Sequence, residues 1–130
     1  AAPAVAQPAP PPPSPEVEAA IDRRIQALRA ELGITAAQTP LWTAFAQAMR
    51  ENAQSTDALF AQRAGAVAAM NAVDNMHNYA RIARAYADNT ERLAAAFDSL
   101  YASLSEAQKR TADTIFRHQA TAAAAAKNPR

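Results

Sequence analysis

The sequence contains no cysteine and only two glycines, Gly33 and Gly65. Disulfide frameworks, thiolate zinc sites and cysteine nucleophiles are excluded, and so are the glycine-rich loops that cradle phosphates. Charge of one sign is lacking too. Thirteen basic residues against 12 acidic ones leave a net charge of +1, which implies no nucleic-acid partner. Charges interrupt every stretch long enough to span a membrane. Large apolar side chains are scarce: half of the chain is apolar, but 38 of those residues are alanine and only 27 are bigger. Such a supply is thin for a closed core and argues against a compact α/β enzyme with a deep pocket. What is abundant is alanine, the best helix former, while the strand formers are few. The fold class is all-α.

Residues 1–15 hold seven of the nine prolines and no charge, which favours an extended, disordered spacer. Residues 16–126 read as one helical domain, and 127–130 as a disordered end. The opening Ala1-Ala2-Pro3 suits a product of signal-peptide removal, so the expected location is the periplasm.

The first helix carries Val17, Ile21, Ile25, Leu28 and Leu32 on one stripe. Gly33 ends it in a Schellman turn that folds Ile34 back over Leu28. A second helix starts at Thr35, with Pro40 early in it and Leu41, Trp42, Phe45 and Met49 on one side. The polar patch from Asn52 to Asp57 leaves room for a hinge near Ser55. Asn71 to Asp74 offers a turn, with Asp74 as the cap of the third helix. In that helix Tyr79, Ala83, Tyr86, Thr90, Leu93, Phe97, Leu100 and Leu104 alternate spacings of four and three, a heptad seam that needs a partner helix. Arg84–Asp88 and Asp88–Arg92 are spaced as ion pairs on its outer face. A fourth helix starts at Ser105 and turns Ala112, Ile115 and Phe116 inward. The expected architecture is four helices, two of them long and paired as an elongated antiparallel hairpin, with shorter flanking helices.

Two segments share one design: Ile34-Thr35-Ala36-Ala37-Gln38 and Leu104-Ser105-Glu106-Ala107-Gln108. Each reads apolar, hydroxyl, any, any, glutamine. The hydroxyl residue caps a helix and the glutamine reaches back to the cap's backbone N–H, which is a capping box. Thr35, Gln38, Ser105 and Gln108 are therefore assigned to capping, with Ile34 and Leu104 as the apolar lead residues. Two copies in an all-helical, exported chain, together with Pro40-Leu41-Trp42, Phe45, Met49-Arg50 and Leu100-Tyr101, resemble the LTxxQ-motif family in its Spy/CpxP-like branch. The resemblance covers roughly residues 19–118. Ile34 for leucine and Ser105 for threonine are swaps that keep the physics.

The resemblance implies a thin, cradle-shaped helical homodimer that binds unfolded proteins without ATP or any cofactor. The absence of a nucleotide motif and the thin apolar supply agree with this on independent grounds, and no enzymatic activity is expected. The candidate client-binding surface mixes apolar and cationic groups: Arg50, Leu59, Phe60, Arg63, Val67, Met70, Met76, Arg81 and Arg84. Arginine would speed encounter and methionine would adapt to varied partners. The plainer alternative for each is core packing or a solvated face. A second reading, also implied by the resemblance, is a regulator that docks on the periplasmic domain of an envelope sensor kinase. A third is a purely structural helical dimer. A metal-responsive role has only His77, His118 and Asp74 to draw on, short of the three or four convergent ligands zinc wants, so no metal site is assigned.

Overall fold

A computed structural model describes residues 15–127. Its helices are α1 (Pro15–Leu32), α2 (Thr39–Ala66), α3 (Ala72–Ser103) and α4 (Glu106–Lys127), with 3-10 turns at Ala36–Gln38 and Val67–Ala69. No strand occurs among the described residues, and the chain is all-α as expected. The spacer expected before the domain and the end expected after it fall mostly on residues 1–14 and 128–130, outside the described residues. Pro15 and Lys127 themselves are helical.

Pro15 opens α1, where its fixed φ and missing N–H suit the first turn. Glu16 and Glu18 sit at the same end, favoured by the helix dipole. Gly33, at φ +62°, closes the helix. Its N–H donates to the Ala30 carbonyl at 3.2 Å and that of Ile34 to the Arg29 carbonyl at 3.4 Å. These two bonds are the Schellman pattern anticipated for this corner.

The start of α2 differs from expectation. The chain enters through Thr35 in an extended conformation and a 3-10 turn, and the α-helix begins only at Thr39. Pro40 explains this, because a proline ring collides with the carbonyl four residues back in a continuing α-helix. In the tighter turn the Ala36 carbonyl accepts the Thr39 N–H instead. From there α2 runs 28 residues unbroken, straight through the position where a hinge was expected. The polar patch faces α3 rather than bending the helix, and Asn89 Nδ2 donates to Ser55 Oγ at 2.8 Å.

The link to α3 is the turn Val67–Ala69 followed by Met70 in an extended conformation. Asn71, not Asp74, is the cap, and its Oδ1 accepts the Asp74 N–H at 2.8 Å. Asp74 occupies the first turn, where its charge meets the positive end of the helix dipole. Asn71→Ala should lower stability by about 1 kcal/mol, read as a lower Tm; an unchanged Tm would show that the cap carries no weight.

α2 and α3 run antiparallel: Arg63 reaches Asn75 and Asn78, Ser55 meets Asn89, and the Phe45 ring lies 5.2 Å from that of Phe97. At one end of this pair α1 and α4 complete a core of Ile25, Leu28, Leu32, Trp42, Phe45, Met49, Leu100, Leu104 and Ala112. Arg50 Nε meets Asp22 Oδ1 at 3.1 Å and ties α1 to α2. The ion pairs expected among Arg84, Asp88 and Arg92 do not form, and Arg92 donates to Asn89 Oδ1 instead.

The heptad seam of α3 is half right. Leu93, Phe97, Leu100 and Leu104 pack into the core at the base. Toward the tip the helix presents a neighbouring line to α2: Asn78, Ile82, Ala85 and Asn89, of which Ile82 is buried and the others half-buried. Tyr79, Ala83, Tyr86 and Thr90, assigned to the seam by their spacing, stay exposed. Part of the physical reason lies on α2, which opposite Tyr86 and Thr90 offers polar residues from Asn52 to Asp57 where a full seam would need apolar ones.

Candidate functional site

Two features stand out, a polar clasp at the base and an uncovered apolar stripe toward the tip. The clasp is built by the two motifs. Gln38 Oε1 accepts the Thr35 N–H at 3.0 Å, and Gln108 Oε1 accepts the Ser105 N–H at 2.8 Å, while the Gln108 N–H donates to Ser105 Oγ at 3.1 Å. These are the capping interactions read from the sequence.

The amide nitrogens do something the capping box does not require. Gln38 Nε2 donates to Gln108 Oε1 at 2.8 Å, and Gln108 Nε2 donates back to Gln38 Oε1 at 2.9 Å. Gln38 Nε2 also reaches the Ser103 carbonyl at 3.0 Å, and Gln108 Nε2 the carbonyls of Leu32 and Gly33 at 3.2 and 3.1 Å. Each glutamine thus starts its own helix with its oxygen and ends the helix before the other motif with its nitrogen. Both halves of each amide are engaged, so each side chain has one permitted orientation. Gln38 is 8% exposed, the buried polar residue of the described chain. The signal was present: a capping box leaves the glutamine nitrogen unassigned, and two boxes in one small domain leave two.

The stripe lies on the face of α3 that α4 covers only near the base. There the Phe97 ring is 4.9 Å from Phe116. Past Phe116, α4 carries exposed residues through Ala125, and Gln119 Oε1 accepts from Arg24 Nη2 of α1 at 3.1 Å. The same face of α3 continues uncovered through Tyr86 (48% exposed), Tyr79 (57%) and Met76 (71%), with Val73 and Phe60 of α2 beside it, also exposed. Phe60, Tyr79, Ile82, Ala83 and Tyr86 line a shallow hollow of about 200 Å³ with Ile82 as its buried member. Next to it Arg63, Ala72, Asn75, Met76 and Tyr79 line another of about 420 Å³. Positions 72, 73, 76, 79, 83, 86 and 90 carry no charged side chain. Exposed apolar groups that form one continuous patch mark an interaction surface, whereas scattered ones do not.

The candidate contact residues divide between surfaces. Phe60 and Met76 lie on the stripe. Leu59 and Arg81 line a different hollow, of about 380 Å³, together with Gln62, Ala66 and Ala85. Arg84 is exposed, and Val67 and Met70 are half-buried at the turn. Two arginines are committed within the chain. Arg50 pairs with Asp22. Arg63 donates to Asn78 Oδ1 at 2.8 Å, to Asn75 Oδ1 and to the Asn75 carbonyl, and its guanidinium stands 5.5 Å from the Tyr79 ring centre. Arg63 therefore pins the tip of the helical pair and sets Tyr79 in place. The 3–4 spacing of Tyr79 and Tyr86 reads first as core, and Val73 lies outside that seam.

His77 and His118 are exposed, and no group of three or more His, Cys, Asp or Glu among the described residues is placed to hold a metal ion. No helix of the described chain is long and apolar enough to cross a membrane. Tyr101, near the second motif, donates to Asp113 Oδ1 at 3.0 Å, and that bond holds its phenol above the ordinary value.

Comparison with known proteins gives one finding. A family model described as "LTXXQ motif family protein" matches residues 20–116. No curated protein and no solved structure matches the chain.

Proposed function

Because the chain belongs to the LTXXQ motif family, we propose that it is an ATP-independent chaperone of the periplasm that holds unfolded proteins on the stripe of Phe60, Val73, Met76, Tyr79 and Tyr86. Membership in the family supports an envelope-associated role. The observation that carries the finer reading is the stripe itself, a continuous apolar surface left open while a polar clasp closes the other end. Tyrosine and methionine suit such a surface. Tyrosine presents a large apolar ring with a polar edge, and methionine fits many shapes. Arg81 and Arg84 are exposed on the same helix and add long-range attraction for acidic segments. Their contribution is a rate of encounter that falls with salt. Two copies of the chain would enclose a client between them, in keeping with the homodimer that the family resemblance implies.

The direct test is aggregation suppression. Several unrelated proteins, denatured and diluted into buffer without nucleotide, should be kept from aggregating at near-stoichiometric amounts of the chain. Failure to protect any of them, combined with tight binding to one folded sensor domain, would replace the chaperone reading with the regulator.

A further inference from the structure

The open stripe belongs to a line that the chain itself covers with a helix further down. Ala72, Met76, Tyr79, Ala83, Tyr86 and Thr90 stand four and three residues apart in alternation and are all exposed. The same alternation runs on through Leu93, Phe97, Leu100 and Leu104, which pack into the core. At that base α4 lies on the line, with Phe116 4.9 Å from Phe97 and Asp113 accepting from Tyr101 at 3.0 Å. From the continuity of this seam beyond α4, we infer that residues 72–90 receive an α-helix of the bound protein. The incoming segment is amphipathic, with a neutral apolar face in heptad spacing, and lies along α3 and against Phe60 of α2 as the third helix of a bundle. The reading rests on the proposed function only in that the stripe holds other proteins.

The surface favours a helix over an extended chain for two reasons. The backbone of α3 is hydrogen-bonded within its own helix. An extended segment pressed on Met76, Tyr79 and Ala83 would bury N–H and C=O groups with few partners there, at a cost for each. A helix arrives with those groups already paired. The second reason is spacing. Tyr79 and Tyr86 stand about 10.5 Å apart along α3, which is the repeat of a heptad on a facing helix. Like-facing residues of a strand recur every 6.6 Å or about that and fall out of step. Between the two tyrosines, the small side chain of Ala83 opens the hollow of about 200 Å³ that Phe60 and Ile82 complete. Such a hollow accepts one apolar knob of a partner helix.

Charge and length narrow the partner further. Val73, Ala80 and Ala87 flank the seam on the side away from α2, and all three are uncharged and exposed. A charged residue facing them would lose water and gain no partner. Ala72 to Thr90 spans about 27 Å, five helical turns, so a helix of about 18 residues fills it.

Three synthetic 18-residue peptides test this on the full chain. The first carries leucines at alternating spacings of three and four among neutral residues. The second has the same composition with the leucines at every second position, and the third is the first with two central prolines. The first should bind at least tenfold more tightly than the others, shift the NMR signals of Met76, Tyr79, Ala83 and Tyr86, and show helical carbon shifts when bound. Ala83→Glu should weaken it at least tenfold without lowering Tm. Ala95→Glu, exposed on the outer face of the same helix, should not.

Equal affinities for the three peptides, or a bound peptide without helical shifts, overturn the inference and leave the chaperone reading standing. Stripe signals that broaden with the concentration of the chain alone would assign the seam to a second copy and overturn it too. Helical binding of the first peptide without protection of any unfolded protein would support this inference and sink the chaperone reading alone. No shift on the stripe with any peptide or with a permanently unfolded protein would overturn both.

Discussion

Gln38→Ala lowers stability by about 2–4 kcal/mol and Tm on the order of 10 °C. The substitution removes a buried amide that makes four hydrogen bonds. It leaves the Ser103 carbonyl and the Gln108 amide with partners missing. Leaving such groups unpaired costs about 1–3 kcal/mol beyond the bond itself. Gln108→Ala should cost a similar amount, since it exposes the mirror set at Leu32, Gly33 and Ser105. The pair is not independent. Once one glutamine is gone, the other has already lost its partner, and the double variant should cost less than the sum by about 0.5–3 kcal/mol. Chemical denaturation of the four chains completes the cycle, and strictly additive losses would show that the cross-bond between the motifs carries no energy. Gln38→Glu sharpens the point. A carboxylate can still accept the Thr35 N–H but has no donor for the Ser103 carbonyl, so at neutral pH it should rescue little.

Tyr79→Ser combined with Met76→Ser weakens binding of a permanently unfolded protein by about tenfold or more while leaving Tm nearly unchanged. Both side chains are more than half exposed, so the folded chain loses little when they shrink. In a complex each would bury apolar surface worth about 1.5–3 kcal/mol if fully covered, and partial cover of two reaches the 1.4 kcal/mol that makes a factor of ten. Titration of a fluorescent client against both chains reads the change. Equal affinities with equal Tm would remove the stripe from the mechanism. Arg81→Gln with Arg84→Gln should act differently, slowing association at low salt and changing little at high salt.

The corners of this fold were legible because their chemistry is local. Gly33 ends α1 by a conformation open chiefly to glycine, and each glutamine sits three residues after a hydroxyl cap. The helical pair was legible in outline for the same reason, since a long apolar periodicity needs a partner. What was not legible depends on two helices at once. The spacing of Tyr79, Ala83 and Tyr86 with Leu93 and Phe97 reads as one seam, and only the polar face of α2 at Asn52, Ser55 and Thr56 shows that the seam cannot be closed along its length. α3 turns Ile82 and Asn89 to α2 instead and leaves its aromatic line uncovered. Arg63 carries a similar lesson. Its charge suggests a role in capture, but Asn75 and Asn78, brought opposite by the turn at Val67, hold it within the chain. The cross-bond between Gln38 and Gln108 joins residues 70 apart; the two capping boxes leave two amide nitrogens to be satisfied, but only the folded chain makes them each other's partners.

On the proposed function, other proteins bind the apolar stripe near the tip and not the clasped base. Backbone NMR of the isotope-labelled chain, titrated with a permanently unfolded protein, measures this residue by residue. Shift changes should concentrate at Phe60 and from Val73 to Tyr86, with Gln38, Leu104 and Gln108 unmoved. Changes confined to the base, or none at any client concentration, would contradict it.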